Sequence, residues 1–112
     1  MKELIQYDDF AKLDIRIGQV LAAEMVPETD KLVKCTVDFG ADVGVRTIVS
    51  GIALYRTPEE IVGKKLPYVV NLAPKMLRGV ESQGMLLALS FGDNDFSFLL
   101  TEKDVPPGTM IK

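Results

Sequence analysis

One stretch of the chain spells out a helix in full, and its placement limits the folds open to the rest. In Thr57-Pro58-Glu59-Glu60-Ile61-Val62-Gly63, Thr57 suits the N-cap and Pro58 the first helical position, where a missing N–H is no loss. Glu60 holds the capping-box position three residues after the cap, and Gly63 the stop. A helix bracketed so closely is short. On either side the sequence alternates at the period of two that marks strands. Three strand-like segments precede the helix: Asp14 to Glu24, Leu32 to Phe39, and Val45 to Ser50, the last two joined by a hairpin loop over Gly40–Gly44. Two follow it, Leu66 to Leu72 and Met85 to Ser90, and the unbroken apolar run of the latter implies burial on both faces.

Five strands with a helix between the third and fourth is the order of an all-β, five-stranded barrel of the OB-fold type. An unrelated five-stranded barrel or sandwich is the alternative. In the first strand the apolar phase runs 15, 17 and then 20, 22, with Gly18 at the slip, so a bulge is expected there. Such a bulge would bend the strand for barrel closure. Upstream, Asp8 to Leu13 reads as a short helical turn in which Asp8 or Asp9 accepts the first free backbone N–H groups. With 112 residues the expectation is one domain, residues 1–112, comprising a barrel over about 14–91 and a C-terminal extension over 92–112.

Composition removes several chemistries. There is no His and only one Cys, so Ser-His-Asp triads, disulfides and Cys-rich zinc sites are excluded. Cys35 shares an apolar strand face with Val33, Val37 and Phe39 and is expected to be a buried, inert thiol. No carboxylate pair, metal cluster or phosphate-binding Gly loop occurs at a recognised spacing, so neither an enzyme nor a cofactor is expected. Apolar stretches such as Met85 to Leu89 fall far short of the roughly 18–20 residues a bilayer crossing needs. The N-terminus also lacks a hydrophobic signal core, so a cytoplasmic protein without a membrane partner is expected.

The net charge of −3 hides an internal asymmetry. Residues 31–80 hold eight cations and four carboxylates, whereas the remaining residues hold five and twelve. A basic middle between acidic ends points to an anionic partner. Aromatic residues make up only 7% with no Trp, and the second and third strands offer only Phe39, so a platform for stacking single-stranded bases is disfavoured. Recognition of structured RNA through phosphates and 2′-hydroxyls needs Lys, Arg and hydrogen-bonding side chains more than rings.

The segment Asn71-Leu72-Ala73-Pro74-Lys75-Met76-Leu77-Arg78-Gly79-Val80-Glu81-Ser82-Gln83-Gly84-Met85-Leu86-Leu87-Ala88 has that make-up. Lys75 and Arg78 supply charge, Asn71, Ser82 and Gln83 supply neutral donors, and Gly79 and Gly84 let a backbone come close. It resembles the signature of the tRNA-binding OB domain. That domain occurs as a stand-alone dimeric protein, at the C-terminus of bacterial methionyl-tRNA synthetase, and in the endothelial-monocyte-activating polypeptide family. Asp9 to Gly18, Asp30 to Lys34, Ile48 to Ala53 and Thr57 to Lys65 resemble further motifs of that family in the same order, so the resemblance covers roughly residues 8–111.

The resemblance implies that Lys31, Lys34, Asn71, Lys75, Arg78, Ser82 and Met85 lie in or beside a tRNA-binding region, with Gln83 in the same loop. Met85 also suits a core position opening an apolar strand, and Ser82 suits a turn cap. Arg16 could equally pair with Asp14 or Glu24. One position departs from the pattern: Met76 follows Lys75 where many relatives carry a second basic residue. The expected partners are tRNA, an aminoacyl-tRNA synthetase to which the chain is an accessory, and a second copy of itself. The extension Phe91 to Lys112, with Phe96, Phe98, Leu99 and Leu100, has apolar content for a dimer contact; its other use is to cover its own barrel end. The alternative function is that of CsaA, which shares this fold and is regarded as a peptide-binding chaperone.

Overall fold

The computed structural model describes residues 1–112. Three short helical turns, α1 (Tyr7–Ala11), α2 (Gly40–Val43) and α3 (Pro58–Ile61), interrupt ten strands. These are β1 (Ile15–Met25), β2 (Val33–Asp38), β3 (Val45–Ser50), β4 (Lys65–Val69), β5 (Lys75–Leu77), β6 (Val80–Ser82), β7 (Met85–Leu86), β8 (Ala88–Phe91), β9 (Asp95–Phe98) and β10 (Met110–Ile111). The main sheet is antiparallel and runs β3-β2-β1-β4-β7, with β10 added beside the start of β1; β5–β6 and β8–β9 form two separate hairpins.

The capped helix forms as its sequence dictates. Thr57 N–H donates to Glu60 Oε1 at 3.0 Å and Glu60 N–H to Thr57 Oγ1 at 3.3 Å, with Pro58 in the first turn. These bonds to Thr57 hold the Glu60 carboxyl below its ordinary pKa. In α1 the N-cap is Gln6, not an aspartate, and Asp9 serves instead by accepting the Gln6 backbone N–H at 2.9 Å.

β1 changes neighbours along its length: Ile15–Gln19 pair with β4, Gln19–Met25 with β2, and Ile15 and Arg16 also meet β10. The bulge lies between Val20 and Ala22, not at Gly18. What looked like a slip of one face is burial of both faces in turn. Ile15 and Ile17 lie under the C-terminal segment, in a groove shared with Leu99, Val105 and Ile111, whereas Val20 joins the barrel core. Gly18 is needed for close approach, since a Cβ there would sit 2.5 Å from the Phe39 ring and from Val37 Cγ1.

The core is built from the alternate residues Val33, Cys35, Val37 and Phe39 with Ile48, Leu66 and Tyr68, all buried. Phe39 meets Tyr68 edge-on with ring centroids 5.4 Å apart. Burial pushes the Cys35 thiol up to about 11 and raises the Tyr68 phenol well above its ordinary value, with the neighbouring Cys35 a second cause for Tyr68.

Beyond β4 the structure departs from the sequence expectation. The fourth strand stops at Val69, short of Leu72, and the donor-rich segment that follows it contains the β5–β6 hairpin. Met85 to Ser90 is not one buried strand. It breaks at Leu87 into β7 and β8, and Met85, Leu89 and Phe91 are exposed. Leu86 still packs against the core, while the residues beyond it leave the barrel along an uncovered surface, which local sequence cannot distinguish from burial on both faces.

The extension is divided in its use. Phe96 and Phe98 are buried members of the core cluster; Phe96 stacks on Tyr55 at 5.1 Å, and the Arg56 guanidinium lies 5.3 Å and 5.5 Å from the two phenylalanine centroids. Further on, Gly108 N–H donates to Ile17 O at 2.7 Å, and Lys65 Nζ binds Asp104 Oδ1 at 2.6 Å. These parts cover their own barrel. Leu99, Leu100, Met110 and Ile111 stay exposed. No helix is long and apolar enough to cross a membrane.

Candidate nucleic-acid interface

Of the eight cations between residues 31 and 80, four make no ion pair, side-chain hydrogen bond or ring contact, and of these Lys64 is half-buried. Lys65 is paired to Asp104, Arg56 lies over the two phenylalanines, and Arg46 donates to main-chain carbonyls. Lys34 Nζ lies 3.7 Å from Glu24, an exposed and weak pair. Lys31, Lys75 and Arg78 make no ion pair and are exposed. Arg16, in the first strand, is neutralised by Asp14 and Asp42, each with an oxygen 2.8 Å away. Its hydrogen bonds to Asp14, then Asp42, raise its already high pKa. Of the two candidate partners, Asp14 is the one the structure selects.

Arg78 sits at the tip of the β5–β6 hairpin, whose register pairs Lys75 with Ser82, Met76 with Glu81 and Leu77 with Val80. Both tip residues have positive φ, +50° at Arg78 and +82° at Gly79. Two-residue turns of this kind favour Asn or Gly at the first position. An arginine held there costs on the order of 1 kcal/mol in backbone energy. Across from it, Thr29 Oγ1 accepts the N–H groups of Lys31 and Leu32 and so shapes the loop between β1 and β2. Lys31 and Arg78 thereby line one open cleft of about 510 Å³, together with Glu28, Thr29 and Asp30. The carboxylates of Glu28 and Asp30 make this cleft mixed in sign, so its cations are spaced rather than massed.

The neutral residues of the motif are placed differently. Ser82 is 5% exposed, and its Oγ accepts the Val49 N–H at 2.9 Å. Gln83 Oε1 accepts the Thr47 N–H at 2.9 Å, and the Gln83 N–H donates to Thr47 O at 2.8 Å. These bonds join the free edge of β3 to the end of the hairpin and close the barrel where the strand ladder stops. Asn71 ties the other end, accepting the Asp14 N–H at 2.8 Å and donating to Lys12 O at 2.7 Å. Met85 pairs with Val69 at the start of β7 and is 47% exposed, outside the core. The structure thus gathers Lys31 and Arg78 in one cleft, puts Lys75 on the same hairpin as Arg78, and gives Asn71, Ser82 and Gln83 a place in the framework.

Sequence reasoning passed over Arg46. It lines a cleft of about 430 Å³ with Val70, Asn71, Leu72, Ala73, Pro74 and Gln83. The signal was available, since Arg46 shares a strand face with Ile48 and a cation in the apolar phase calls for a buried partner.

The family described as "Putative tRNA binding domain" matches residues 15–110. A methionine–tRNA ligase of Flavobacterium psychrophilum is 55% identical over 98 residues, covering 88% of this chain and 14% of that enzyme. The chain thus spans about one-seventh of the length of such relatives. A methionyl-tRNA-synthetase-related protein from Pyrococcus horikoshii has a crystal structure that superposes with a TM-score of 0.91 at 43% identity, over 99% of this chain and 100% of that one. The chaperone CsaA of Bacillus anthracis str. Ames gives 0.87 at 30% identity, over 98% and 100%. The barrel, the exposed hairpin and a match across nearly the whole chain agree: this protein belongs to the tRNA-binding domain family, a module that methionine–tRNA ligases carry as part of a longer chain.

Proposed function

We propose that the chain grips folded tRNA with Lys31, Lys34, Lys75 and Arg78, Met85 giving apolar contact beside them, while Asn71, Ser82 and Gln83 act in the binding region by holding the framework of that surface. The observation that carries this reading is the hairpin tip, where Arg78 is unpaired, exposed and held at positive φ, with Lys75 at the base of the same hairpin. Cations spaced along a hairpin and a facing loop suit phosphates that follow a bent backbone. The scarcity of exposed rings in this surface disfavours base-by-base reading. The module performs no chemistry itself. It raises the RNA affinity of a methionyl-tRNA synthetase, in the cytoplasm, while the catalytic part of that assembly does the reaction.

The working form in this reading is a homodimer. Its support is the apolar surface left open by the extension, where Leu99, Leu100, Met110 and Ile111 border a groove of about 380 Å³ over Ile15 and Ile17. Two copies would present two basic surfaces to one RNA and gain avidity. The same open apolar surface is what a CsaA-like, peptide-binding reading would use. The methionine–tRNA ligase relatives, at higher identity than CsaA, favour the RNA reading.

The test is a fluorescence anisotropy titration of total tRNA and of a single-stranded oligonucleotide at two salt concentrations. The expected result is tighter binding to tRNA with a clear salt dependence. Equal affinity for both, or binding of unstructured peptide in preference to either, would overturn the reading. Sedimentation at micromolar concentration should give the mass of two chains; a monomer would remove the dimer from the account.

A further inference from the structure

The loop that carries Lys75 and Arg78 leaves the barrel at Val70 and returns at Gln83, and one side chain touches both feet. Arg46 Nη1 donates to the carbonyl of Val70 and, at 3.3 Å, to that of Gln83. Beside it, the seam to β3 consists of Gln83 and Ser82 bonding to the backbone of Thr47 and Val49, with no regular ladder to back them. Arg46 is half-buried, and its guanidinium forms one wall of the cleft beneath residues 70–74. Both bonds come from Nη1, whose two N–H groups point apart, so one end of a rigid, planar guanidinium held on a strand spans the two carbonyls.

We propose that Arg46 is a positioning residue for RNA binding: it clamps the two feet of the 71–82 loop, sets the height and tilt of the hairpin, and acts on RNA through Lys75 and Arg78 without touching it. This rests on the reading that the hairpin binds tRNA. Neutral polar residues sit at the ends of the loop, and two unpaired cations, Lys75 and Arg78, sit along its hairpin. Without these two bonds, the hairpin stays attached through Ser82, Gln83 and Asn71, but its cations no longer share one fixed spacing.

The experiment uses the full chain and total tRNA, comparing Arg46→Ala and Arg46→Lys in the natural background and in Lys75→Ala/Arg78→Ala. Arg46→Ala should weaken tRNA binding about 5- to 10-fold in the natural background and no more than about twofold once the two hairpin cations are gone. Arg46→Lys, which keeps the charge but has a shorter reach and no rigid planar end, should fall between Arg46→Ala and the natural protein, and it serves as the test if the alanine variant fails to fold. Hydrogen exchange supplies a readout independent of RNA: the amides of Thr47, Val49 and Gln83 should exchange faster in Arg46→Ala, while that of Gly63, bonded to Val20 O, keeps its rate.

Equal loss of affinity in both backgrounds would make Arg46 a direct RNA contact and overturn the proposal, as would unchanged exchange at the seam. A natural protein that binds no tRNA at any salt counts against the RNA reading; the exchange measurement then still decides the clamp.

Discussion

Two hairpins stand outside the main sheet, and they are fastened by opposite means. The β5–β6 hairpin is attached through hydrogen bonds that Arg46 donates and that Asn71, Ser82 and Gln83 accept, and it exposes Lys75, Met76 and Arg78. The β8–β9 hairpin sends Phe96 and Phe98 into the core beside Tyr55 and Arg56. Each net hydrogen bond contributes about 0.5–1.5 kcal/mol, whereas removing a buried phenylalanine costs about 3–5 kcal/mol. The difference teaches that binding and stability fall largely to separate side chains: the exposed cations of the polar hairpin can be changed without loss of the barrel, while the phenylalanines of the apolar one are part of its core.

The sharpest way to break this comparison is Phe98→Ala. It should cost about 3–5 kcal/mol in urea denaturation and leave the salt dependence of tRNA binding unchanged under conditions where the variant is folded. A mild stability loss, or a flattened salt slope, would show that the two hairpins are not separate in function. Ser82→Ala comes next. It strips the acceptor from the buried Val49 N–H and should cost about 1–3 kcal/mol, with faster exchange of that amide. An unaltered melting point would mean that the seam does not hold the barrel.

The smallest effect concerns the floor beneath both hairpins, where Cys35 pairs with Ile48 of β3. The folded thiol is pushed up to about 11 from its ordinary 9.0. A raised value stabilises the fold fully below pH 9, and that contribution is lost as pH rises through 9 towards 11, because the unfolded chain ionises first. Between pH 8 and pH 10 stability should therefore fall by on the order of 1 kcal/mol from this residue. The phenol of Tyr68, raised in the same sense, adds to the decline above pH 10. Cys35→Ala should show a smaller alkaline loss than the natural protein; an identical loss would place the cause elsewhere.

Much of the barrel was legible because its signals are local. The capping box around α3, the alternation at Val33, Cys35, Val37 and Phe39, and the buried thiol follow from neighbours in sequence. Gly18 shows the limit: its importance lies in the ring of Phe39, twenty-one positions away, so a true need for glycine was assigned to a bulge that belongs at Val20–Ala22. The run from Met85 to Ser90 was assigned to the interior because hydropathy does not say whether an apolar strand faces a core or an uncovered surface.

The same division holds for the candidate site. Lys31, Lys75 and Arg78 could be picked out as cations in a turn-rich setting, and the structure leaves them unpaired. The work of Asn71, Ser82 and Gln83 could not, since their partners are the backbone groups of Asp14, Val49 and Thr47. The β5–β6 hairpin was missed for a related reason. Arg78-Gly79 lacks the Asn-Gly signature of a tight turn, and the chain adopts it at a cost.

The central claim, that RNA affinity resides in the polar hairpin, is tested most directly by the salt dependence of tRNA affinity for Lys75→Ala/Arg78→Ala against the natural protein. Loss of two phosphate contacts should lower the slope of log affinity against log salt by roughly 1.4–1.8, with stability within about 0.5 kcal/mol of the original because both side chains are exposed. A slope unchanged by the double substitution would contradict the account.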